Sequence, residues 1–132
     1  MPQAGSKYFI PLLAAAVWNI FFSLLGFFLL PRKSTLFFNT ITPQVEFLSA
    51  PPVWYAVLTA GIGYGLVGYK NHKFRFFITI GAIGKIALFC FTWHLWFASV
   101  ANTLAAMVAL GDLMWAIYFL IFLYQTREHG LL

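Results

Sequence analysis

One lysine and one aspartate lie deep inside two consecutive apolar segments of the sequence. Lys85 belongs to residues 76–98 and Asp112 to residues 103–124, and four residues separate these segments. Lys or Asp at the centre of a membrane-spanning helix costs about 2.5–3.5 kcal/mol, so each charge is expected to find a partner or to be neutralised. The two residues therefore predict either a proton-linked or ligand-binding site, or a structural ion pair that holds two helices in register.

The composition assigns the chain to the membrane class. Of its 132 residues 62% are hydrophobic and only 8% are charged, and the mean hydropathy is +0.86. Soluble domains carry roughly a quarter charged residues, so this chain has too little polar surface to cover a water-facing globule. The net charge of +5 does not indicate nucleic-acid binding, because the basic residues are scattered at segment ends rather than clustered on one face.

Four apolar segments approach the length of about 20 residues that a helix needs to cross a bilayer. They predict an all-α, single-domain bundle of four transmembrane helices. The first segment is longer than the apolar part of a secretory signal and lacks a small-residue cleavage site after it, so we expect it to be retained. The predicted spans are residues 8–30, 52–69, 76–98 and 103–124.

Residues 34–51 form the only long connection, between the first and second spans. Apolar residues are spread through it, which favours a partly helical interfacial loop on the membrane surface, broken at Pro43 and stopped by Pro51 and Pro52. A lid over a cavity is the alternative.

Lysine and arginine counts predict the orientation. With four spans, the N-terminus, the turn between the second and third spans, and the C-terminal tail share one side of the membrane. That side carries more basic residues than the other, so both termini are predicted to be cytoplasmic and the protein to lie in the inner membrane. The basic residues are Lys7, Lys70, Lys73, Arg75 and Arg127 on the first side, and Arg32 and Lys33 on the other.

Three polar residues from three spans fall at a similar depth. At 1.5 Å per residue, Lys85 lies about 15 Å beyond Arg75, Asp112 about 18 Å before Tyr124, and Asn19 about 18 Å beyond Lys7. The short turn at residues 99–102 makes the last two spans antiparallel neighbours. The sequence therefore predicts a buried polar site of Lys85, Asp112 and Asn19 near the middle of the membrane.

Glycines predict where helices approach one another. Gly61 and Gly65 form a small-x-x-x-small pattern, and Gly81 and Gly84 lie within one turn before Lys85. Small residues mark helix-facing surfaces in membranes, so we expect all four glycines to pack against neighbouring helices and Lys85 to point inward.

His94 is the remaining candidate site residue. It lies about 28 Å from Arg75, near the outer interface, between Trp93 and Trp96. An interfacial histidine in an aromatic belt is the favoured interpretation, and haem ligation is the alternative. The other histidines belong to the opposite surface. No metal-site spacing, nucleophile motif or phosphate loop is present, so no metal is expected and no cofactor is assigned.

The last two spans contain Gly81-Ala82-Ile83-Gly84-Lys85 and Gly111-Asp112-Leu113-Met114-Trp115, with Phe119 beyond. With these motifs the chain, from about Gly61 to Leu123, resembles a set of small four-span bacterial membrane proteins. In that set the third span carries G-x-x-G-K and the fourth D-x-x-W. The resemblance implies that Lys85 pairs with Asp112, and it implies no reaction. A looser similarity to DoxX-like proteins, some linked to quinone-dependent oxidoreductases, has no residue-level match.

The leading functional hypothesis is a non-catalytic accessory or packing subunit of a larger membrane assembly. Sixteen phenylalanines are more than one four-helix core can enclose, so lipid and other membrane subunits, or further copies of the chain, are the expected partners. The alternatives are a small proton-coupled carrier that uses the Lys85, Asp112 and Asn19 site, and a lipid- or quinone-linked enzyme with His94 and the 34–51 loop near the outer headgroups. An enzyme is the less favoured of these classes.

Overall fold

The computed structural model describes residues 8–28, 36–70 and 75–126, without the side chains of residues 69 and 70. Within these ranges the chain has five helices and no strand, and 87% of its residues are helical, which confirms the predicted all-α class. The helices are α1 (Phe9–Phe28), α2 (Pro43–Ser49), α3 (Pro51–Lys70), α4 (Arg75–Phe97) and α5 (Thr103–Gln125).

Three helices in the described part of the chain, α1, α4 and α5, are long and apolar enough to cross a membrane. The 23 residues of α4 and of α5 each give a length of about 34 Å. α3 is less apolar because it contains four glycines, and it passes the same test only together with α2, from which it is bent by 44°. The pair has the form of a broken span or a re-entrant loop, where a single straight span was predicted.

Prolines begin two helices in this region, and α2 ends at Ser49, two residues before Pro51. Pro43 is the first residue of α2 and Pro51 the first residue of α3. Proline is favourable there because the first helical N–H groups need no intrahelical acceptor. The Thr42 hydroxyl caps α2 by accepting a hydrogen bond from the Val45 N–H at 3.2 Å. The predicted break at Pro43 is therefore a helix start.

The long helices form two antiparallel pairs, α1 with α3 and α4 with α5. Contacts along α4 and α5 give their direction. At one end Arg75 Nε donates to Thr126 Oγ1 at 3.1 Å, and towards the other end Trp93 Nε1 donates to the Ala106 carbonyl at 3.0 Å. We call the first end the Tyr8 end, and the end where residues 98–102 join α4 to α5 the turn end.

Glycines bring α1, α3 and α4 close together. A Cβ at Gly61 would lie 2.9 Å from the Asn19 Cβ, one at Gly65 would lie 3.7 Å from the Ala16 Cβ, and one at Gly81 would overlap the Tyr64 ring. Gly84 does not pack against a neighbouring helix, contrary to the prediction. No described atom lies within 4 Å of where its Cβ would be, because this face of α4 is open.

Two apolar clusters fill the interior, and each lies towards one end of the bundle. Between them lie the buried polar residues Asn19 of α1, Lys85 of α4 and Asp112 of α5. The cluster at the Tyr8 end contains Leu12, Ala15, Ala16, Tyr64, Val67, Ile78, Ala82, Phe119 and Phe122. The cluster at the turn end contains Phe37, Phe38, Val45, Leu48, Leu95, Ala101 and Ala105.

Residues 36–50 are attached to the turn between α4 and α5. Phe38 and Ala101 form an isolated antiparallel bridge, the Asn102 N–H donates to the Phe37 carbonyl at 2.8 Å, and the Asn102 side chain donates to the Leu36 carbonyl at 2.8 Å. Phe37 and Phe38 are consequently buried, while Phe47 stays exposed. This segment is fixed over the turn end of the bundle.

Several sequence predictions fall on residues outside those described. They include the end of the first predicted span at residues 29–30 and the start of the interfacial loop at 34–35. They also include most of the basic side chains on which the orientation depends: Lys7, Arg32, Lys33, Lys70, Lys73 and Arg127.

We expect Gly61→Ala to lower the stability of the protein, because the new methyl group forces α1 away from α3. Overpacking of this kind costs about 1–3 kcal/mol. Gly84→Ala is the matched control, since its methyl group meets open space and alanine favours a helix by about 1 kcal/mol over glycine. Thermal unfolding in detergent, followed by circular dichroism, measures both. Equal destabilisation by the two variants would contradict the packing described here.

Candidate functional site

One buried polar residue from each of α1, α4 and α5 meets the other two at one point. The Lys85 Nζ lies 2.7 Å from the Asp112 Oδ1, and it also donates to the Asn19 Oδ1 at 2.8 Å. The side chains of Lys85 and Asp112 are 7% and 9% exposed. The structure therefore brings together the three residues that the depth count selected, and we call them the polar group.

Local structure positions each member of the polar group. The short turn places α4 beside α5, so that Lys85 and Asp112 face each other across the pair. The Asn19 amide Nδ2 donates to the Val57 carbonyl of α3 at 3.1 Å, which leaves its Oδ1 directed at the lysine. On α4, Gly81 gives room for the Tyr64 ring beside Lys85. All four long helices thus contribute to the site.

Two aromatic residues that the sequence did not select belong to the same site. The Trp18 Nε1 donates to the Asp112 Oδ1 at 3.0 Å, and the Tyr64 ring centroid lies 5.8 Å from the Lys85 Nζ, within cation–π range. The sequence contains a feature that could have identified both residues. Trp and Tyr in membrane proteins concentrate at the interfaces, so either residue in the middle of an apolar segment is unusual, and a buried indole N–H needs an acceptor.

The hydrogen bonds to the Asp112 carboxylate are unevenly distributed. Lys85 and Trp18 both donate to Oδ1, and Oδ2 accepts no hydrogen bond from the described residues. Oδ2 also keeps some accessible surface, since it is not among the fully buried atoms that lack a partner. The pair is neutral as a whole, and one of its acceptor atoms remains open.

A cavity of about 460 Å³ begins at the polar group and extends towards the turn end. It lies between the α1–α3 pair and the α4–α5 pair, and most of its lining is apolar. Asn19, Lys85 and Asp112 line it together with Trp18 and Tyr64. The side chains that line it from the 36–50 segment are Phe37, Phe38, Phe47 and Leu48.

Small residues keep the cavity open and give it a side opening. Ala60 of α3 and Ala109 of α5 line it from within. Ala56 of α3, with Gly84 and Ala87 of α4, also lines it, and these three residues are exposed on the outside of the bundle. The cavity therefore opens between α3 and α4, on a surface that acyl chains would contact in a membrane.

His94 lies apart from this site. It is exposed near the end of α4 and does not line the cavity. No group of three or more His, Cys, Asp or Glu side chains in the described ranges is arranged to hold a metal ion. Trp115, the tryptophan of the D-x-x-W motif, packs against the cluster at the Tyr8 end. The indole that donates a hydrogen bond to Asp112 is that of Trp18.

Comparison with known proteins adds no relative. The chain matches no protein-family model, and no similar protein was found among curated proteins or solved structures.

The cavity reaches one side of the polar group. The cavity reaches it from the turn end, while the cluster at the Tyr8 end packs beneath it. A continuous proton path across the membrane would need ionisable or hydroxyl groups through that cluster, which is apolar apart from Tyr64 and has Tyr8 and Tyr118 packed against it. In this conformation the arrangement can hold a polar end of a molecule whose remainder is apolar.

We expect Lys85→Met and Asp112→Leu, made singly, each to destabilise the protein by about 3–5 kcal/mol, because each leaves an uncompensated buried charge. The double variant should be more stable than either single one, since both charges are then absent. Unfolding free energies of the four proteins in a double-mutant cycle measure the coupling. Additive losses would mean that the two charges do not depend on each other.

Proposed function

We propose that this protein binds a small lipophilic molecule inside the membrane, with the polar end of the molecule at Lys85, Asp112 and Asn19. One observation carries the proposal: an apolar cavity of about 460 Å³ ends on a buried group of convergent polar side chains. Ligand pockets typically have volumes of about 300–1,000 Å³, apolar walls and a few polar groups that fix orientation.

A purely structural ion pair would not require a cavity beside it. Unfilled apolar space destabilises a protein, because the lining atoms lose the contacts that packed neighbours would give. Larger side chains at Ala60, Gly84 or Ala109 would fill the space, and the sequence has small ones instead. A lipophilic occupant supplies the missing contacts and accounts for both the volume and the small residues.

The side opening supports a ligand that is dissolved in the bilayer. It lies between α3 and α4, where the outer surface carries exposed apolar residues such as Ile80 and Ile83. A molecule that partitions into acyl chains reaches this opening without crossing water. In a four-span arrangement with cytoplasmic termini in an inner membrane, with the bent α2–α3 pair as the second span, the cavity lies in the outer leaflet.

The other functions expected from the sequence have less support. The exposed apolar faces that suggest an accessory subunit are those that a bilayer covers equally well. An enzyme built on His94 has the difficulty that His94 does not line the cavity. A proton-coupled carrier is the second candidate, because it would use the same buried acid and base, with the packed cluster at the Tyr8 end opening in alternation.

We expect a lipophilic compound to co-purify with the protein in near-stoichiometric amount. Extraction from native membranes in mild detergent, followed by organic extraction and mass spectrometry, identifies it. Gly84→Phe should lose the compound, because the ring occupies open space at the mouth of the cavity. Ile83→Phe, at the adjacent position outside the cavity, should retain it. The same compounds in all three proteins would count against the proposal.

Reporter fusions test the four-span topology. Alkaline phosphatase is active only outside the cytoplasm. Green fluorescent protein fluoresces only inside the cytoplasm, because it does not fold correctly after export in unfolded form. A phosphatase fused after Lys33 should be active, and a fluorescent protein fused after Leu132 should fluoresce, because the basic residues are concentrated on the side of the termini. The opposite pattern would mean an inverted protein, and two fusion points on the same side of the membrane would mean an even number of spans between them.

A further inference from the structure

The hydrogen-bonding capacity left at the polar group indicates the chemistry of the ligand. Lys85 has three N–H donors; two are engaged by Asn19 and Asp112, and the Tyr64 ring lies 5.8 Å from the ammonium. Asn19 bridges Lys85 and the Val57 carbonyl. Lys85 therefore keeps a third N–H donor, and Asp112 Oδ2 is an acceptor that receives no hydrogen bond from the described residues.

The position of Oδ2 makes it available to a molecule in the cavity. Asp112 lines the cavity, and Oδ2 retains accessible surface although the residue as a whole is 7% exposed. A buried carboxylate oxygen without a donor is energetically unfavourable, and a hydrogen bond to an ionised group is stronger than one between neutral groups. A ligand that donates to Oδ2 removes this cost.

We propose that the ligand is a neutral lipophilic alcohol whose hydroxyl group donates a hydrogen bond to Asp112 Oδ2. This rests on the proposed binding function and specifies it. The same hydroxyl oxygen can accept from the third Lys85 N–H. A carbonyl or ether oxygen can only accept, so it would leave Oδ2 without a donor, and a molecule with only acceptors is disfavoured.

Charge balance selects a neutral molecule. Lys85 and Asp112 already compensate each other at 2.7 Å. A cationic ligand would bring an additional positive charge beside the Lys85 ammonium, and an anionic ligand would place a negative charge against the carboxylate. A hydroxyl group supplies the donor and leaves the balance unchanged. The apolar remainder of the alcohol then contacts the apolar walls of the cavity.

The test uses the full-length protein in lipid nanodiscs of phosphatidylcholine. The probe is 12-bromododecan-1-ol, whose bromine quenches the fluorescence of tryptophans near the cavity, of which Trp18 and Trp54 form part of the lining. Dodecan-1-ol, 1-methoxydodecane and dodecylammonium compete with it at matched mole fractions in the bilayer. These competitors share one alkyl chain and differ in the end group.

We expect saturable quenching, and we expect dodecan-1-ol to displace the probe at a mole fraction about 10- to 100-fold lower than 1-methoxydodecane does. Asp112→Asn should reduce this preference, because the variant replaces an acceptor by a donor or a weaker acceptor. Trp115→Phe, at a tryptophan that does not line the cavity, leaves Oδ2 and both lining tryptophans in place, so it should keep the preference.

The outcomes separate two failures. If quenching does not saturate, no such cavity ligand binds and the proposed function fails together with this inference. If quenching saturates but the ether or the ammonium competes as well as the alcohol, the binding function stands and the assignment of a neutral alcohol is overturned. The comparison among competitors uses the unchanged protein, so it decides the question even if Asp112→Asn does not fold.

Discussion

The fold depends on the requirement that two opposite charges inside an apolar medium remain in contact. Lys85 and Asp112 satisfy it at 2.7 Å, and each is nearly enclosed. In a low-dielectric interior, separation of the pair would leave two unpaired charges, so the register between α4 and α5 is strongly constrained. Asn19 extends the constraint to α1 through Lys85, and to α3 through the Val57 carbonyl. One polar contact therefore relates all four long helices.

Packing around this contact is unequal on its two sides. Towards the Tyr8 end, large side chains such as Phe119 and Phe122 are fully buried and fill the space between the helices. Towards the turn end, alanines and glycines line the two helix pairs and leave the cavity. The 36–50 segment covers that end because its backbone is hydrogen-bonded to the turn between α4 and α5. The polar group thus forms the floor of a cavity whose far end is covered.

A binding protein of this construction would meet its ligand in the bilayer rather than in water. The side opening between α3 and α4 is bordered by small residues, and the surface around it is apolar. The ion pair would serve two roles at once. It holds the helices together through Oδ1, and it presents Oδ2 to the cavity. A structural contact and a recognition site can share one carboxylate because each of its two oxygens accepts hydrogen bonds independently.

The sequence alone determined the features that follow from composition, length and helix rise. Too few polar residues for a water-facing surface indicate membrane helices, and a short turn brings the last two of these helices together, with Lys85 and Asp112 at matching depth. The side chains that face one another on different helices could not be predicted in detail, because helix rise gives depth but not the rotation of one helix against another. Only the tertiary structure decided that Trp18 rather than Trp115 reaches Asp112, that Gly84 faces open space while Gly81 packs, and that α2 and α3 meet at a bend. The cavity is also a feature that only the tertiary structure decided. Empty volume arises where packed helices diverge, and the sequence contains no pattern that predicts it.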